Sequence, residues 1–203
     1  AQKDNRIVYI EKENGGQAEA RNMGLDRMTG SYVTFVDSDD WVESDYVETL
    51  YQKIMEYQAD IAVGNYYSFN ESEGMYYFHI FGDSYYEKVY DNVSIFENLY
   101  ESQDMKKFAF IFPWGKLYKA SLLDYLRFDN GKLAEDAYLN QKIYLLAERI
   151  VYLNKGLYAY CQREGSSSRA WTEKWMHALV DTMSDRITLL ANMGYPLEKH
   201  LAV

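Results

Sequence analysis

Hydrophobic and polar positions along the first part of the chain predict short strands that alternate with helices. Apolar, β-branched and aromatic runs favour strands, and apolar residues at helical spacing favour helices. In chain order, the expected elements cover residues 6–10 (strand), 17–28 (helix), 31–36 (strand), 45–57 (helix) and 60–65 (strand). Ser44 is the expected N-cap of the second helix. This alternation is typical of α/β proteins, which bind ligands at the carboxyl ends of their strands.

The second half of the chain continues the alternation of strands and helices, but its hydrophobic positions recur less regularly. Residues 66–90 are rich in tyrosine and suggest a hairpin or a loop. A strand and a helix capped by Ser121 are expected in residues 112–126, and two short strands in residues 148–164. Further helices are expected over residues 93–100, 135–147 and 171–193, the last ended by Gly194.

Composition and charge narrow the classes of function. The 203 residues are 48% hydrophobic and 26% charged, which suits one folded domain. A net charge of −10 argues against nucleic acid as a partner, because phosphate backbones are bound by clustered Lys and Arg. Cys161 is the only cysteine, so the sequence has no disulfide framework or cysteine zinc site. No apolar run reaches 18 residues, so no membrane span is expected.

Three carboxylates, Asp37, Asp39 and Asp40, follow the strand predicted at residues 31–36. Side chains two residues apart on an extended chain point the same way, so Asp37 and Asp39 can converge on one ligand. Mg²⁺ and Mn²⁺ commonly bind one or two carboxylates together with substrate phosphates. Helix capping is the alternative, and it explains one aspartate better than three.

Two other motifs share this acidic pattern. A calcium loop of the EF-hand type would begin at Asp37, but its sixth position requires Gly and is Val42 here. A haloacid dehalogenase-type phosphatase would use Asp37 as its nucleophile. That motif normally continues with Gly-Thr, whereas this chain continues with Asp40 and Trp41. The phosphatase alternative is weakened and stays open at this point.

A longer pattern is more specific. The stretch ENGGQAEARNMGLDRMTGSYVTFVDSDD, residues 13–40, resembles glycosyltransferase family 2 in its Ala-Arg-Asn-x-Gly block and in its Asp-Ser-Asp-Asp motif after a strand. The resemblance implies an α/β GT-A fold, a Rossmann-like mixed sheet flanked by helices. It also implies inverting, metal-dependent transfer of a hexose or N-acetylhexosamine from a nucleotide sugar, with UDP as the expected nucleotide. The implied acceptor is a glycan or a lipid-linked glycan.

The same resemblance assigns roles around the acidic cluster. Asp39 corresponds to the ligand of Mn²⁺ or Mg²⁺ on the sugar diphosphate. Asp37 and Asp40 correspond to carboxylates that face the donor or its metal-bound water. Arg21 corresponds to a basic residue near the donor, and a surface salt bridge is its alternative interpretation.

Glu135 and Asp136 form an acidic pair at the start of a predicted helix. Two acids in a first turn are favourable on any helix, because they complement the helix dipole. In the family such a pair supplies the catalytic base, usually the aspartate, which is Asp136 here. The reaction needs a base because the acceptor hydroxyl must lose its proton as it attacks.

Two further stretches extend the resemblance. In residues 113–123, Trp114 could stack on a sugar, and Lys116 could contact phosphate or order its loop. A packed tryptophan and a solvated lysine are the alternatives. Residues 158–169 resemble the closing stretch of the family, in which Arg163 and Ser166 would clamp the diphosphate.

The resemblance ends near residue 168, so we expect a glycosyltransferase domain at residues 1–170 and a helical extension at residues 171–203. The resemblance implies an N-terminal nucleobase-binding β-α-β segment that would precede Ala1, so we expect these residues to be a fragment or to follow others that are not shown. The given residues alone are expected to bind nucleotide weakly, and a non-catalytic sugar-binding module is an alternative. The extension is expected to pack on the core through one apolar face, which is formed by Trp171, Trp175, Met176, Leu179 and Met183. Dimerisation or contact with a membrane surface through the same face are the alternatives. The family implies a cytoplasmic location, at the inner face of the plasma membrane, in cell-surface polysaccharide synthesis.

Overall fold

A computed structural model of the chain describes residues 4–79, 85–101, 107–163 and 172–198. Over these residues, seven strands form one mixed sheet with helices on both faces. The strands are β1 (Tyr32–Val33), β2 (Trp41–Val42), β3 (Ile61–Asn70), β4 (Met75–Phe78), β5 (Glu87–Tyr90), β6 (Lys116–Lys119) and β7 (Ile150–Gln162). The helices are α1 (Gly16–Leu25), α2 (Tyr46–Tyr57), α3 (Ser94–Glu101), α4 (Lys107–Ile111), α5 (Glu135–Leu146) and α6 (Glu173–Asn192).

The two long strands, β3 and β7, form the parallel centre of the sheet. The main strand order is β1-β6-β3-β7-β2, and β4 and β5 add antiparallel partners to β3 and β7. The sequence predicted two short strands where β7 is a single strand of 13 residues. That prediction was wrong because the polar Asn154 and Lys155 are accommodated by a shift in register between Gly64 and Asn65 of β3.

Alternate residues of the central strands supply two hydrophobic cores, one on each face. Ala62 and Val151 face α2, where Leu50 and Ile54 are buried against them. Complete burial of a leucine or isoleucine side chain contributes about 2 kcal/mol. The neighbouring positions, such as Val63, face the larger core that contains residues of α1, α3, α4 and α5. The sheet is therefore fixed in the middle by side chains that alternate between its faces.

Several predicted elements differ from the structure. Residues 6–10 form no strand, and Ile7, Val8 and Tyr9 are exposed. Strand propensity is not sufficient without a pairing partner, and no described strand pairs with this segment. For the same reason the strand expected at residues 31–36 is reduced to the two residues of β1 that pair with β6.

The predicted caps also need correction, whereas the predicted hairpin is confirmed. Helix α2 begins after Asp45, whose side chain accepts a hydrogen bond from Thr49 Oγ1 at 3.1 Å, so Ser44 is not its N-cap. Ser121 lies inside a short 3₁₀ turn, Ala120–Leu123, and does not cap a helix. The tyrosine-rich region from residue 66 contains the β3–β4 hairpin.

The C-terminal helix α6 packs against α5, and it buries Thr182 and Leu190. Its N-cap is Thr172, whose hydroxyl accepts a hydrogen bond from the backbone N–H of Trp175 at 3.3 Å. The expectation of core packing was wrong for three apolar side chains that face solvent, which are Met176, Leu179 and Met183. Trp171 lies outside the described residues. In the described part of the chain, no helix combines the length and the apolar character needed to cross a bilayer.

Candidate active site

A cavity of about 330 Å³ opens where the first turns of α1 and α5 approach the segment between β1 and β2. Tyr160 of β7 and Trp175 of α6 complete its lining. Six residues predicted from the sequence line it together: Arg21, Asp37, Asp39, Trp114, Glu135 and Asp136. The structure therefore brings the acidic cluster and the distant Glu-Asp pair to one place.

Arg21 connects the two acidic groups across this cavity. Its Nη2 lies 2.8 Å from Asp37 Oδ1, and its Nη1 lies 3.1 Å from Glu135 Oε1. The guanidinium also lies 5.3 Å from the ring centre of Phe128. With the side chain only 9% exposed, this arrangement is a partly buried, three-residue ion network and not a surface salt bridge. The network fixes the start of α5 relative to the acidic segment.

Asn22, the residue after Arg21, holds the segment that leads to α5. Its Nδ2 donates to the Phe128 carbonyl oxygen at 2.8 Å, and its Oδ1 accepts from the Phe128 backbone N–H at 2.8 Å. This role of Asn22 was not predicted from the sequence. Its position within the Ala-Arg-Asn-x-Gly block was the available signal.

Asp40 points away from the cavity and towards β7. Its Oδ2 accepts from the Tyr158 hydroxyl at 2.6 Å, and its Oδ1 accepts from the Cys161 backbone N–H at 2.8 Å. The Tyr158 hydroxyl also accepts from the Asp37 backbone N–H at 3.1 Å. Burial, with a smaller effect of the charges on Asp39 and Asp37, raises the pKa of Asp40 to about 6. Asp40 thus supports the acidic turn from behind, together with Tyr158, which was not predicted to belong to the site.

Asp39 is half-buried and faces the cavity beside Asp37. One oxygen of Asp37 is already paired with Arg21, so Asp39 is the better-placed carboxylate for a cation. The described residues contain no group of three His, Cys, Asp or Glu side chains that could hold a metal by themselves. Mg²⁺ and Mn²⁺ often bind through one or two carboxylates and complete their coordination with substrate phosphates. The oxygen donors present fit an ion of this kind that binds together with a diphosphate.

The first turn of α5 is set by an unusual backbone conformation. Ala134 has φ +58° and ψ +35°, a left-handed conformation that costs about 1 kcal/mol or more for a residue with a Cβ. This turn places both acids at the helix N-terminus, where Asp136 Oδ1 accepts from the Ala137 backbone N–H at 2.8 Å. Backbone strain of this kind often accompanies functional sites.

The electrostatic environment makes Asp136 a stronger base than an ordinary aspartate. Burial and the neighbouring charge of Glu135 raise the pKa of Asp136 to about 6, against the opposing effect of Arg21. A carboxylate with this pKa is ionised at neutral pH and accepts a proton more readily than a solvated aspartate.

Trp114 lies in an aromatic stack that forms one wall of the cavity. Its ring is nearly parallel to that of Tyr158, with centroids 4.4 Å apart, and to that of Phe112, at 4.8 Å. The whole residue is 2% exposed. Trp114 therefore presents little ring surface to a ligand here, and its packed position matches the alternative kept open from the sequence.

Lys116 is completely buried below this wall. Its ammonium donates to the backbone carbonyl oxygens of Phe112 and of Trp114, the latter at 3.3 Å. Burial lowers the pKa of Lys116 to about 7, and the charge of Asp136 acts in the opposite direction. This geometry matches the prediction that Lys116 orders its loop, and not the prediction that it contacts phosphate. Lys116 is not among the residues that line the cavity.

The remaining predicted residues lie apart from the cavity or outside the description. Arg163 is exposed, and its Nε lies 3.8 Å from Glu71 Oε2. Ser166 lies outside the described residues. Trp175, in contrast, belongs to the cavity lining although the sequence analysis placed α6 outside the site. Its only sequence signal was membership of an amphipathic helix.

Comparison with known proteins identifies the family. Residues 1–127 match the sequence model of Glycosyl transferase family 2. The chain belongs to this family. A relative, glycosyltransferase GlyA of Streptococcus pneumoniae serotype 4, is 78% identical over 200 residues, which cover 98% of this chain and 29% of GlyA. GlyG of the same organism is 38% identical over 190 residues, which cover 91% of this chain and 62% of GlyG. The chain therefore spans less than two thirds of either relative.

A solved structure confirms the fold. The crystal structure of S. aureus TarS 1-349 in complex with UDP-GlcNAc superposes with a TM-score of 0.65 at 22% sequence identity. The match covers 95% of this chain and 55% of the TarS chain. The α/β GT-A fold expected from the sequence is thus confirmed. Because the chain has this fold and belongs to this family, the phosphatase alternative is rejected.

Proposed function

We propose that this chain forms the catalytic part of an inverting, metal-dependent glycosyltransferase. It would transfer a hexose or N-acetylhexosamine from a UDP-sugar to a hydroxyl group of a glycan. The main observation in support is that Asp39 and Asp136, far apart in sequence, line the same cavity. The TarS structure is a complex with UDP-GlcNAc, which supports a UDP-sugar as the donor.

The donor side of the proposed site is the segment around Asp39. Asp39, with Asp37 beside it, would hold Mn²⁺ or Mg²⁺. When bound, such an ion neutralises the charge that develops on the leaving nucleoside diphosphate. The protein's own contribution is to hold the acidic segment rigidly, through Arg21 on one side and through Tyr158 and Asp40 on the other.

The acceptor side is the N-terminus of α5. As the acceptor oxygen attacks the anomeric carbon, its proton passes to a carboxylate oxygen of Asp136. The bond from the anomeric carbon to the diphosphate breaks at the same stage, which inverts the configuration of that carbon. Glu135 acts as a positioning residue, because Arg21 holds it and its charge raises the pKa of Asp136.

The family also suggests a cellular setting for this reaction. We place the reaction at the cytoplasmic face of the plasma membrane, in cell-surface polysaccharide synthesis, with a polymeric or lipid-linked glycan as the acceptor. Membership of the family supports this setting.

A thermal-shift titration tests the donor and the metal together. UDP-GlcNAc and a panel of other nucleotide sugars are titrated into the chain to millimolar concentration, with and without Mn²⁺. We expect Mn²⁺-dependent stabilisation, which reaches about 2.7 kcal/mol at a ligand concentration of about 100 times Kd. Asp39→Ala should abolish it, whereas Asp26→Ala, at an exposed ion pair with Arg127, should not. No shift with any nucleotide sugar, or an unchanged shift in Asp39→Ala, would contradict the proposal.

A further inference from the structure

The face of the sheet opposite the cavity carries a group of aromatic side chains that the proposed reaction does not use. We call this group the aromatic platform, and its members are Trp41, Tyr67, Phe69, Tyr76 and Phe78. Strand pairing places them side by side. Trp41 and Tyr67 both lie opposite Ala159 of β7, while Phe78 lies opposite Tyr67 and Tyr76 lies opposite Phe69. Residues in register on neighbouring strands share a face.

The alternation along β7 shows which face this is. Tyr160 lines the cavity, so its neighbour Ala159, in register with the platform, points to the other face. Farther back on that other face, Leu157 is buried in the core beneath α2. The platform therefore lies on the same face of the sheet as α2, in a region that α2 does not cover.

The platform is ordered and open to solvent. The rings of Trp41 and Phe69 lie 5.7 Å apart, those of Phe69 and Tyr76 4.8 Å, and those of Tyr67 and Phe78 5.4 Å. Trp41 remains 37% exposed, Tyr76 52% and Phe78 66%. Mutual packing of the rings therefore holds aromatic surface in place without covering it.

A small groove beside the platform adds a polar group. Its volume is about 310 Å³, and it is lined by Glu43, Tyr67, Tyr76, Phe78 and Gly156. The Tyr67 hydroxyl donates to Glu43 Oε1 at 2.6 Å, which fixes the carboxylate against the aromatic rings. A carboxylate has about four lone-pair positions, so Glu43 can accept further hydrogen bonds from a ligand.

This combination of groups selects one class of ligand. Aromatic ring faces suit the apolar C–H faces of pyranose rings, and a fixed carboxylate suits their hydroxyl groups. The lining residues of the groove are aromatic or acidic apart from one glycine. The net charge of −10 disfavours anionic polymers and anionic lipid surfaces.

We propose that the aromatic platform is a second carbohydrate-binding surface, which binds neutral pyranose units of a glycan chain by stacking on Trp41, Tyr76 and Phe78 and by hydrogen bonds to Glu43. Binding there requires neither the metal nor the nucleotide sugar, so the surface is separate from the proposed reaction. The Cα atoms of Asp39 and Trp41 are two residues apart and hence within about 7.6 Å. One long glycan could therefore contact both faces of this end of the sheet.

The test is calorimetric titration of neutral oligosaccharides, namely cellohexaose, chitohexaose and maltohexaose, into the chain without Mn²⁺ or nucleotide. We expect at least one to bind, and Phe78→Ala to weaken that binding about tenfold or more, since it removes an exposed stacking ring. Phe78→Tyr should retain it. The matched control is Tyr77→Ala, which removes an exposed aromatic ring from the same strand on the opposite face, in register with Ser68. Tyr76→Ala provides a second variant if Phe78→Ala does not fold.

Three results would overturn this proposal. The first is that no oligosaccharide binds, and the second is that binding is lost in Asp39→Ala but kept in Phe78→Ala, which would assign it to the cavity. The third is concentration-dependent dimerisation in sedimentation that Phe78→Ala abolishes, which would make the platform a protein interface. The Mn²⁺-dependent shift with UDP-GlcNAc should be unchanged in Phe78→Ala, so a failure here is distinguishable from a failure of the proposed glycosyl transfer.

Discussion

Arg21 Nη1 lies 3.1 Å from Glu135 Oε1, and this contact joins the first helix of the chain to the helix that carries the proposed base. The other nitrogen of the same guanidinium is paired with Asp37. One side chain therefore sets the distance between the acidic segment on the donor side and the acids on the acceptor side. Its substitution should affect stability and chemistry together.

Arg21→Met should lower the free energy of unfolding by about 2 kcal/mol, because it leaves two partly buried carboxylates without their cation. Urea denaturation measures the change. Arg6→Met is the matched control, since Arg6 forms an exposed ion pair with Asp4 at 2.7 Å and its loss should have no measurable effect. Equal effects of the two substitutions would show that the Arg21 network does not hold the site together.

The pH dependence of turnover should report on Asp136. The rate of UDP release from UDP-GlcNAc should rise with pH and level off above an apparent pKa near 6, because the base must be deprotonated. Glu135→Gln should move this rise to lower pH, since it removes a like charge beside Asp136. Asp136→Asn should abolish turnover while the donor still binds. Turnover that survives in Asp136→Asn, or a midpoint that Glu135→Gln leaves in place, would exclude Asp136 as the base.

Lys116 should make stability depend on pH in the neutral to alkaline range. Its pKa is lowered to about 7 in the folded protein, from an ordinary value of 10.5. Between these values the unfolded chain binds more protons, so the free energy of unfolding should rise with pH, by about 1 kcal/mol per unit. Below about pH 7 both states are protonated and this contribution is flat. The slope should disappear in Lys116→Met and persist in the control Lys119→Met, whose side chain is exposed. A parent protein with no such slope would show that Lys116 titrates normally.

Tyr158→Phe should make the conformation of the acidic segment less stable without changing its charge. The substitution removes the hydroxyl that accepts from the Asp37 backbone and donates to Asp40. We expect a loss of about 1 kcal/mol in stability and weaker Mn²⁺-dependent binding of UDP-GlcNAc. Tyr125→Phe, at a tyrosine that is 97% exposed, serves as the control in both measurements. Unchanged donor binding in Tyr158→Phe would separate this hydrogen bond from the function of the site.

The sequence predicted the parts of the site that depend on local motifs. The block from Glu13 to Asp40 and the pair Glu135–Asp136 predicted five residues that the fold brings to one cavity, and the stretch at residues 113–123 predicted a sixth, Trp114. Helices α2 and α5 were predicted to within one residue at each end. In α2 the apolar residues recur at helical spacing, so that Tyr46, Leu50 and Ile54 share the buried face.

Other features depend on tertiary partners and could not be obtained from local pattern. Residues 6–10 have strand propensity but no described partner strand, and β7 is continuous only because β3 accommodates its irregular register. The direction of the Asp40 side chain depends on Tyr158, which lies far away in sequence. The burial of Lys116 and the approach of Trp175 likewise result from packing between distant elements.

In the proposed reaction, Asp39 holds a divalent cation in the cavity that also contains Asp136. The most direct measurement is an anomalous difference map, recorded at the manganese absorption edge, from crystals of the chain grown with Mn²⁺ and UDP-GlcNAc. We expect one strong peak in this cavity, within coordination distance of Asp39 and absent from crystals of Asp39→Ala. A peak only elsewhere in the molecule, or one that persists in Asp39→Ala, would contradict it.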